Sequence, residues 1–270
     1  MRASGKTVAV TGGGNGIGRE LVLQLLGRGA RVAALDISEK GLAETAELAD
    51  SAKDRLSTHA VNIADREAVG ALPAAIVAAH GQVDGLINCA GIIQPFVRFN
   101  DLEYDAIERI MNVNLWGTIH TIKAFLPVLL QRPEAHIVNI SSMGGLVPVP
   151  GQTMYGATKA AVMLLTEGLH SELVDTSVAV TVVFPGAIHT DISKNSGVGG
   201  PGGAEADASA SKIRMTEPDA AARMILDGME KNAYRVMVGS DVKMMDRLSR
   251  LSPLRAATII YQQMRELLPS

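Results

Sequence analysis

Short apolar runs rich in β-branched residues alternate with longer stretches of helical period along most of this chain. Residues 7–10 form the first run, as expected of a strand covered on both faces. A glycine-rich turn at 11–18 follows, and then 19–28, where Leu21, Val22 and Leu25 recur at helical spacing. The same reading predicts further strands at 31–35, 57–63, 83–88, 136–141, 178–184 and 234–239. It predicts helices at 39–51, 65–80, 102–111, 113–130, 152–173 and 217–232, with Asp65 near a cap. Strand and helix in turn argue for one α/β domain over residues 1–270, an open, doubly wound parallel sheet with helices on both faces. Ligands of such sheets sit beyond the carboxyl ends of the strands. The turns at Gly12, Asp36, Asn88, Ser142 and Pro185-Gly186 all fall at that edge, which predicts a single cleft.

Two stretches leave this pattern. Residues 193–212 are mostly Gly, Ala and Ser without apolar period, either a mobile substrate lid or a surface insertion without function. From 241 to 270 the chain reads as a C-terminal helical extension interrupted by Pro253, with Met244, Leu248, Leu251, Ile260 and Met264 at helical spacing. Lys243, Arg247, Arg250 and Arg255 lie among them. Such a tail contacts a membrane surface or an acidic partner, or packs on its own or a neighbouring subunit; the packing role is the one expected.

Composition narrows the function classes. Apolar content of 47%, 20% charged residues and a net charge of −3 carry no footprint of a nucleic-acid binder. Cys89 is the only cysteine, so no internal disulfide forms and a reducing, cytoplasmic setting is expected. No apolar run reaches the roughly 18 residues of a membrane span, and the run near the start is too short for a signal peptide. No metal site is expected.

The chemistry lies in the turns. Thr11-Gly12-Gly13-Gly14-Asn15-Gly16-Ile17-Gly18 joins a strand to a helix, the context of a dinucleotide-binding Rossmann fold. Glycine lets the backbone approach a pyrophosphate, and the helix start supplies free N–H groups and a positive dipole end. Asp36 ends the second strand at the place where ribose hydroxyls are read, although it also fits a helix cap before Ser38. A carboxylate there repels a 2′-phosphate and Asn15 adds no positive charge, so NAD is expected over NADP. Tyr155 and Lys159 stand four apart and share a helix face. An ammonium beside a phenol favours the phenolate, and roughly 4 kcal/mol at 4 Å would bring the tyrosine towards neutral pH. A phenol so tuned exchanges protons with an alcohol or a carbonyl.

With TGGGNGIG, ALD, NCAG, NVNLWG, NISS, YGATK and FPGAIHT in place, the chain resembles the short-chain dehydrogenase/reductase family from about residue 7 to 239. The resemblance implies NAD(P)-dependent interconversion of an alcohol and a carbonyl. It gives Tyr155 the acid–base role, Lys159 the tuning of Tyr155 and the nicotinamide ribose, Ser142 the substrate oxygen, and Asn114 a water of the proton relay. Ser141 beside Ser142, and a plain helix cap at Asn114, are the competing structural readings. Around the cofactor the resemblance places Gly12, Asn15, Gly16, Ile17, Gly18, Asp36, Asn62, Ile63, Asn88, Ala90, Gly91, Pro185, Gly186, Ile188 and Thr190. Asn62 stands where the family usually carries Asp, and Cys89 replaces the second Asn of the usual Asn-Asn-Ala-Gly turn. His120 and His189 are expected to be structural. The resemblance also implies a homodimer or homotetramer through the helices starting near Asn114 and Gln152. Ile92, Ile93, Pro95, Phe96, Leu146, Val147, Pro148, Val149 and Met154 flank the expected cleft and suggest an apolar alcohol or ketone of steroid, terpenoid or acyl-chain type. A nucleotide-sensing regulator on the same fold is the alternative.

Overall fold

The computed structural model describes residues 1–190, 192–198, 215–265 and 268. Seven parallel strands form one sheet in the order β3-β2-β1-β4-β5-β6-β7. They are β1 Thr7–Thr11, β2 Arg31–Asp36, β3 Leu56–Ala60, β4 Gly85–Asn88, β5 Ala135–Ile140, β6 Val178–Pro185 and β7 Arg235–Val238. The helices are α1 Gly16–Gly27, α2 Glu39–Leu48, α3 Arg66–His80, α4 Tyr104–Met111, α5 Gly117–Leu129, α6 Thr153–Leu173, α7 Ile192–Asn195, α8 Pro218–Glu230, α9 Ser240–Leu251 and α10 Pro253–Met264.

Alternate strand residues feed two cores. Val8, Val10, Val32, Ala34 and Ile87 pack with Leu21, Leu25 and Leu26 of α1 and Ile225 and Leu226 of α8 on one face. Ala9, Ala33, Leu35, Leu86 and Ile137 pack with Ile76 of α3, Phe125 and Leu129 of α5 and Leu169 of α6 on the other. Both faces are covered, which is why the central strands read as unbroken apolar runs. Asp65 caps α3, its carboxylate accepting from the N–H groups of Glu67 and Ala68 at 3.0 and 3.1 Å. The order reverses between β2-β1 and β4-β5, so a crevice opens beyond the ends of β1 and β4.

Several expectations need correction. The helix expected at 39–51 stops at Leu48 and continues as a 3₁₀ turn, Asp50–Arg55, with Asp50 at φ +43°. The strand expected to run to Ile63 stops at Ala60, where its partner β2 ends in the pair Asp36–Ala60. Instead of two separate helices, α4 passes through a π-helical turn, Asn112–Trp116, directly into α5. Asn114 therefore sits inside a wide turn and caps nothing.

The C-terminal extension folds back on its own chain, broken at Pro253 as expected. Met245 of α9 and Ala256 and Ile260 of α10 bury Val147, with Met143, Leu146 and Val149 against the same cluster. Val147 is 2% exposed, so its side chain belongs to this cluster and is withdrawn from the expected substrate wall. Among the described residues no helix is long and apolar enough to cross a membrane. Of the expected lid, 193–198 is described, and 199–212 lies outside the described residues.

Candidate active site

A cleft of about 820 Å³ opens at the carboxyl edge of the sheet. Gly12, Asn15, Gly16, Ile17, Gly18, Asp36, Asn62, Ile63, Ala90, Gly91 and Thr190 line it, eleven of the positions expected around a dinucleotide. The turn needs its glycines. Gly12 and Gly16 have φ of +73° and +49°, and a side chain on Gly12 would meet the Ala90 backbone at 3.0 Å. A Cβ on Gly18 would overlap the Gly12 carbonyl. The side chain of Asn15 makes no capping bond, so the start of α1 keeps its first N–H groups for a ligand. Asp36 fastens this turn, with Oδ2 accepting from Gly14 N–H and Oδ1 from Ser38 N–H, both at 2.9 Å. The cap of α2 is Ser38, whose Oγ accepts from Gly41 N–H at 3.0 Å, so Asp36 is not needed as one. Asn62 is exposed on the rim and accepts from Ala64 N–H at 3.0 Å. Glycine cradle, free helix start and carboxylate together fit a dinucleotide.

Beyond the glycine turn stand the proton-handling groups. Ser142 lies past the end of β5, and its Oγ accepts from Gly144 N–H at 3.0 Å, which holds the hydroxyl in the mouth of a short 3₁₀ turn. It stands beside the ring of Tyr155 in the first turn of α6: a Cβ on Gly144 would lie 3.4 Å from Tyr155 Cε1 and 3.5 Å from Ser142 Oγ. Ser141 points the other way, donating to the Lys159 carbonyl at 2.8 Å. The two neighbouring hydroxyls thus face different surroundings.

Lys159 is 5% exposed, with its Nζ 5.9 Å from the Tyr155 ring centroid. It donates to the Ile140 carbonyl at 3.0 Å. Burial lowers its pKa to about 8. The expected downward pull on the phenol is not realised: burial pushes Tyr155 up, and only the Ser142 hydroxyl opposes it. The physical reason is that the ammonium spends its bond on a carbonyl while the ring sits in protein. Gly91 leaves space beside this ammonium, since a Cβ there would come 3.2 Å from Nζ and 3.4 Å from Asn114 Oδ1.

Other expected residues take different places. Asn114 is 1% exposed; its amide donates to Ile92 O at 2.9 Å and Thr158 Oγ1 at 3.2 Å and accepts from Ile92 N–H at 2.9 Å. It ties the loop after β4 to α6. Asn88 does not line the cleft, and its side chain is consumed in a buried polar chain. Thr121 donates to Asn88 at 2.7 Å, Asn88 to Asn139 at 2.8 Å and Asn139 to Thr166 at 2.9 Å. Pro185, Gly186 and Ile188 are also absent from the cleft lining, as are Asn114, Ser142, Tyr155 and Lys159, which Gly91 joins to it. Gly186 packs closely on Asp241 of α9, and Ile188 bridges to Thr216. Cys89 lines the cleft, but burial pushes its thiol up to about 12, so it is no nucleophile. His189 sits 3.6 Å from Glu217 on the surface, and His120 lies 3.3 Å from the Ile63 carbonyl. Sequence reasoning overlooked Thr11, whose Oγ1 accepts from the N–H groups of Cys89 and Ala90 at 3.0 Å. It also overlooked Asp105, Glu108, Arg109 and Asn112 on the cleft rim, and Gln94, whose one sign was a polar residue inside the apolar run 92–96.

A family model for the short chain dehydrogenases matches residues 6–198. The chain belongs to the short-chain dehydrogenase/reductase family. It is therefore an oxidoreductase of an NAD(P)-dependent enzyme family. A Mycobacterium tuberculosis relative named "Putative oxidoreductase SadH" is 39% identical over 92% of this chain and 91% of its own length. A Burkholderia phymatum family member solved in complex with NAD superposes with a TM-score of 0.86 at 23% identity, covering 95% of this chain and 97% of that one. A Burkholderia cenocepacia member in complex with NADP gives 0.79 at 25% identity, covering 96% and 99%. The α/β Rossmann-like architecture with its seven-stranded parallel sheet is thus shared with these structures. Both dinucleotides occur among the structural neighbours.

Proposed function

We propose that this protein is an NAD-dependent oxidoreductase that interconverts a secondary alcohol and a ketone, with Tyr155 as the acid–base group. The observation that supports the proposal is the grouping of Ser142, Tyr155 and Lys159 around Gly144 and Gly91, with Gly91 itself in the lining of the cleft that holds the glycine cradle. The bound dinucleotide supplies the hydride acceptor or donor. The chain's own residues handle the proton: Tyr155 gives it to the oxygen of a ketone, or takes it from an alcohol, while Ser142 donates to the negative charge that develops there. Lys159, buried with its Nζ 5.9 Å from the ring centroid, would favour the phenolate that remains once its ammonium turns from the Ile140 carbonyl towards it. Gly12, Asn15, Gly16, Ile17, Gly18, Asp36, Asn62, Ile63, Ala90, Gly91 and Thr190 would hold the cofactor. Lys159 would reach its ribose, and Asn114 would keep the loop after β4 in place.

Because burial raises the phenol, the protonated form dominates at neutral pH, which arms the site as a proton donor for ketone reduction. Alcohol oxidation should gain rate towards alkaline pH. Ile92, Ile93, Pro95, Phe96 and Met154, together with the partly buried Leu146 and Val149, support an apolar substrate of steroid, terpenoid or acyl-chain type. Trp116 (49% exposed) and Leu164 (67% exposed) on the π turn and α6 support assembly of a homodimer or homotetramer through these helices. The deciding experiment follows NADH absorbance across a panel of apolar ketones and alcohols with the parent and Tyr155→Phe. The variant should bind NADH as the parent does and lose at least about a thousandfold in kcat; a variant with full turnover refutes the assignment.

A further inference from the structure

The run Ile92-Ile93-Gln94-Pro95-Phe96 contains a single polar side chain, and Gln94 is 1% exposed. Its carboxamide oxygen accepts from the backbone N–H groups of Met154 at 2.8 Å and of Tyr155 itself at 3.0 Å. Its amide nitrogen donates to the Gly151 carbonyl at 3.0 Å. In return, Gln152 Nε2 donates to the Gln94 carbonyl at 2.8 Å. These N–H groups belong to the first turn of α6, where no partner exists within the helix, and the N-cap residue Gln152 makes no capping bond of its own. The helix that carries the reacting phenol is therefore capped from another element, the loop after β4. That loop is held at each neighbouring residue as well. Asn114 binds both backbone groups of Ile92, and Ile93 N–H donates to the buried Ser196 just after α7 at 3.0 Å.

We propose that Gln94 is a positioning residue for Tyr155, a role that rests on the reading of Tyr155 as the acid–base group. Helix starts fray unless capped, and fraying here would swing the third residue of α6, which is Tyr155, away from Ser142. A displacement of about 1 Å at a reacting group costs on the order of a hundredfold in rate. A primary amide suits the place because it accepts on one side and donates on the other. Glutamate keeps the acceptor for the two N–H groups, and methionine keeps only the volume.

The test compares full-length parent, Gln94→Met and Gln94→Glu for kcat, KM and NADH affinity by fluorescence. Gln94→Met should lose about tenfold or more in kcat with NADH affinity within about twofold of the parent, and Gln94→Glu should recover most of that loss. A role in folding alone would lower thermal stability and the yield of NADH-binding sites but leave kcat per site unchanged. Should Gln94→Met fail to fold, Gln94→Asn replaces it under the same expectation, being one methylene too short to reach both N–H groups. Turnover within about twofold of the parent, or a Glu variant no better than the Met or Asn one, overturns the role of Gln94 alone. A parent that binds NADH and turns over nothing in the panel refutes the function first, and the positioning role with it.

Discussion

Replacing Asp36 with alanine isolates cofactor choice. Asp36 closes β2, and each of its oxygens already accepts one backbone N–H, from Gly14 and Ser38, at 2.9 Å. A carboxylate has about four lone-pair sites, so two stay free for the hydroxyls of a ribose. A 2′-phosphate instead brings about −1.5 to −2 charges. At roughly 5 Å and an effective dielectric near 20, each unit charge is repelled by about 3 kcal/mol. Asp36 is only partly buried, and salt screens over about 8 Å, so we discount the whole penalty to about 1.5–3 kcal/mol, or tenfold to a hundredfold. Nearby cations offer no relief. Position 15 is a neutral Asn, and the Arg19 guanidinium is tied to the Gly14 carbonyl at 2.5 Å and to Glu44 at 2.7 Å. The parent should therefore favour NAD over NADP by at least about tenfold in kcat/KM, and Asp36→Ala should shrink that ratio by about tenfold to a hundredfold. Because alanine also strips two N–H groups of their acceptor, the ratio of the two cofactors is the readout, not the absolute rate. A parent that uses both equally, or a variant whose ratio moves less than about twofold, refutes the argument.

Two stability predictions follow from buried polar groups. His136 is fully buried, donates from Nε2 to Thr181 at 2.8 Å, and burial holds its pKa down to about 3. Its folded pKa lies below the unfolded value near 6.5, so its contribution is complete above that pH and drains as pH falls towards 3. The loss is about 1.4 kcal/mol per pH unit, near 2 kcal/mol at pH 5, measurable by urea unfolding at pH 7 and 5. His136→Gln should flatten this difference; an unchanged slope in the variant would assign it to other groups. Asn139→Leu cuts the chain from Thr121 through Asn88 to Thr166 and should cost about 2–4 kcal/mol in the same unfolding assay. A loss below about 0.5 kcal/mol would show that the chain adds nothing to stability.

Much of the molecule was legible in local pattern. Alternating apolar runs and helical periods specify strand, turn and helix, because each must bury one face whatever its neighbours are. The glycines at 12, 16 and 18, Asp36 at a strand end and the pairing of Tyr155 with Lys159 are likewise local. Their functional consequence follows from sheet topology, which puts every strand end at one edge. Element ends were less legible: β3 stops where β2 has no more backbone to offer, a matter of partner length rather than of residues 61–63.

What only the tertiary structure decided depends on which groups share an environment across the chain. Gln94 reads as an isolated polar residue until residues about sixty positions away present two N–H groups to it. Asn88 sits in a cofactor motif, but Thr121 and Asn139 consume its side chain. The tail's amphipathic spacing left its partner open, and Val147 supplied it. The direction of the Tyr155 pKa is the sharpest case. Spacing alone places a positive charge near a phenol, whereas solvent exclusion by the surrounding fold determines whether attraction or desolvation prevails. Covalent sequence fixes which groups are near each other along a helix; the dielectric and the competing hydrogen bonds around them exist only once distant segments have packed.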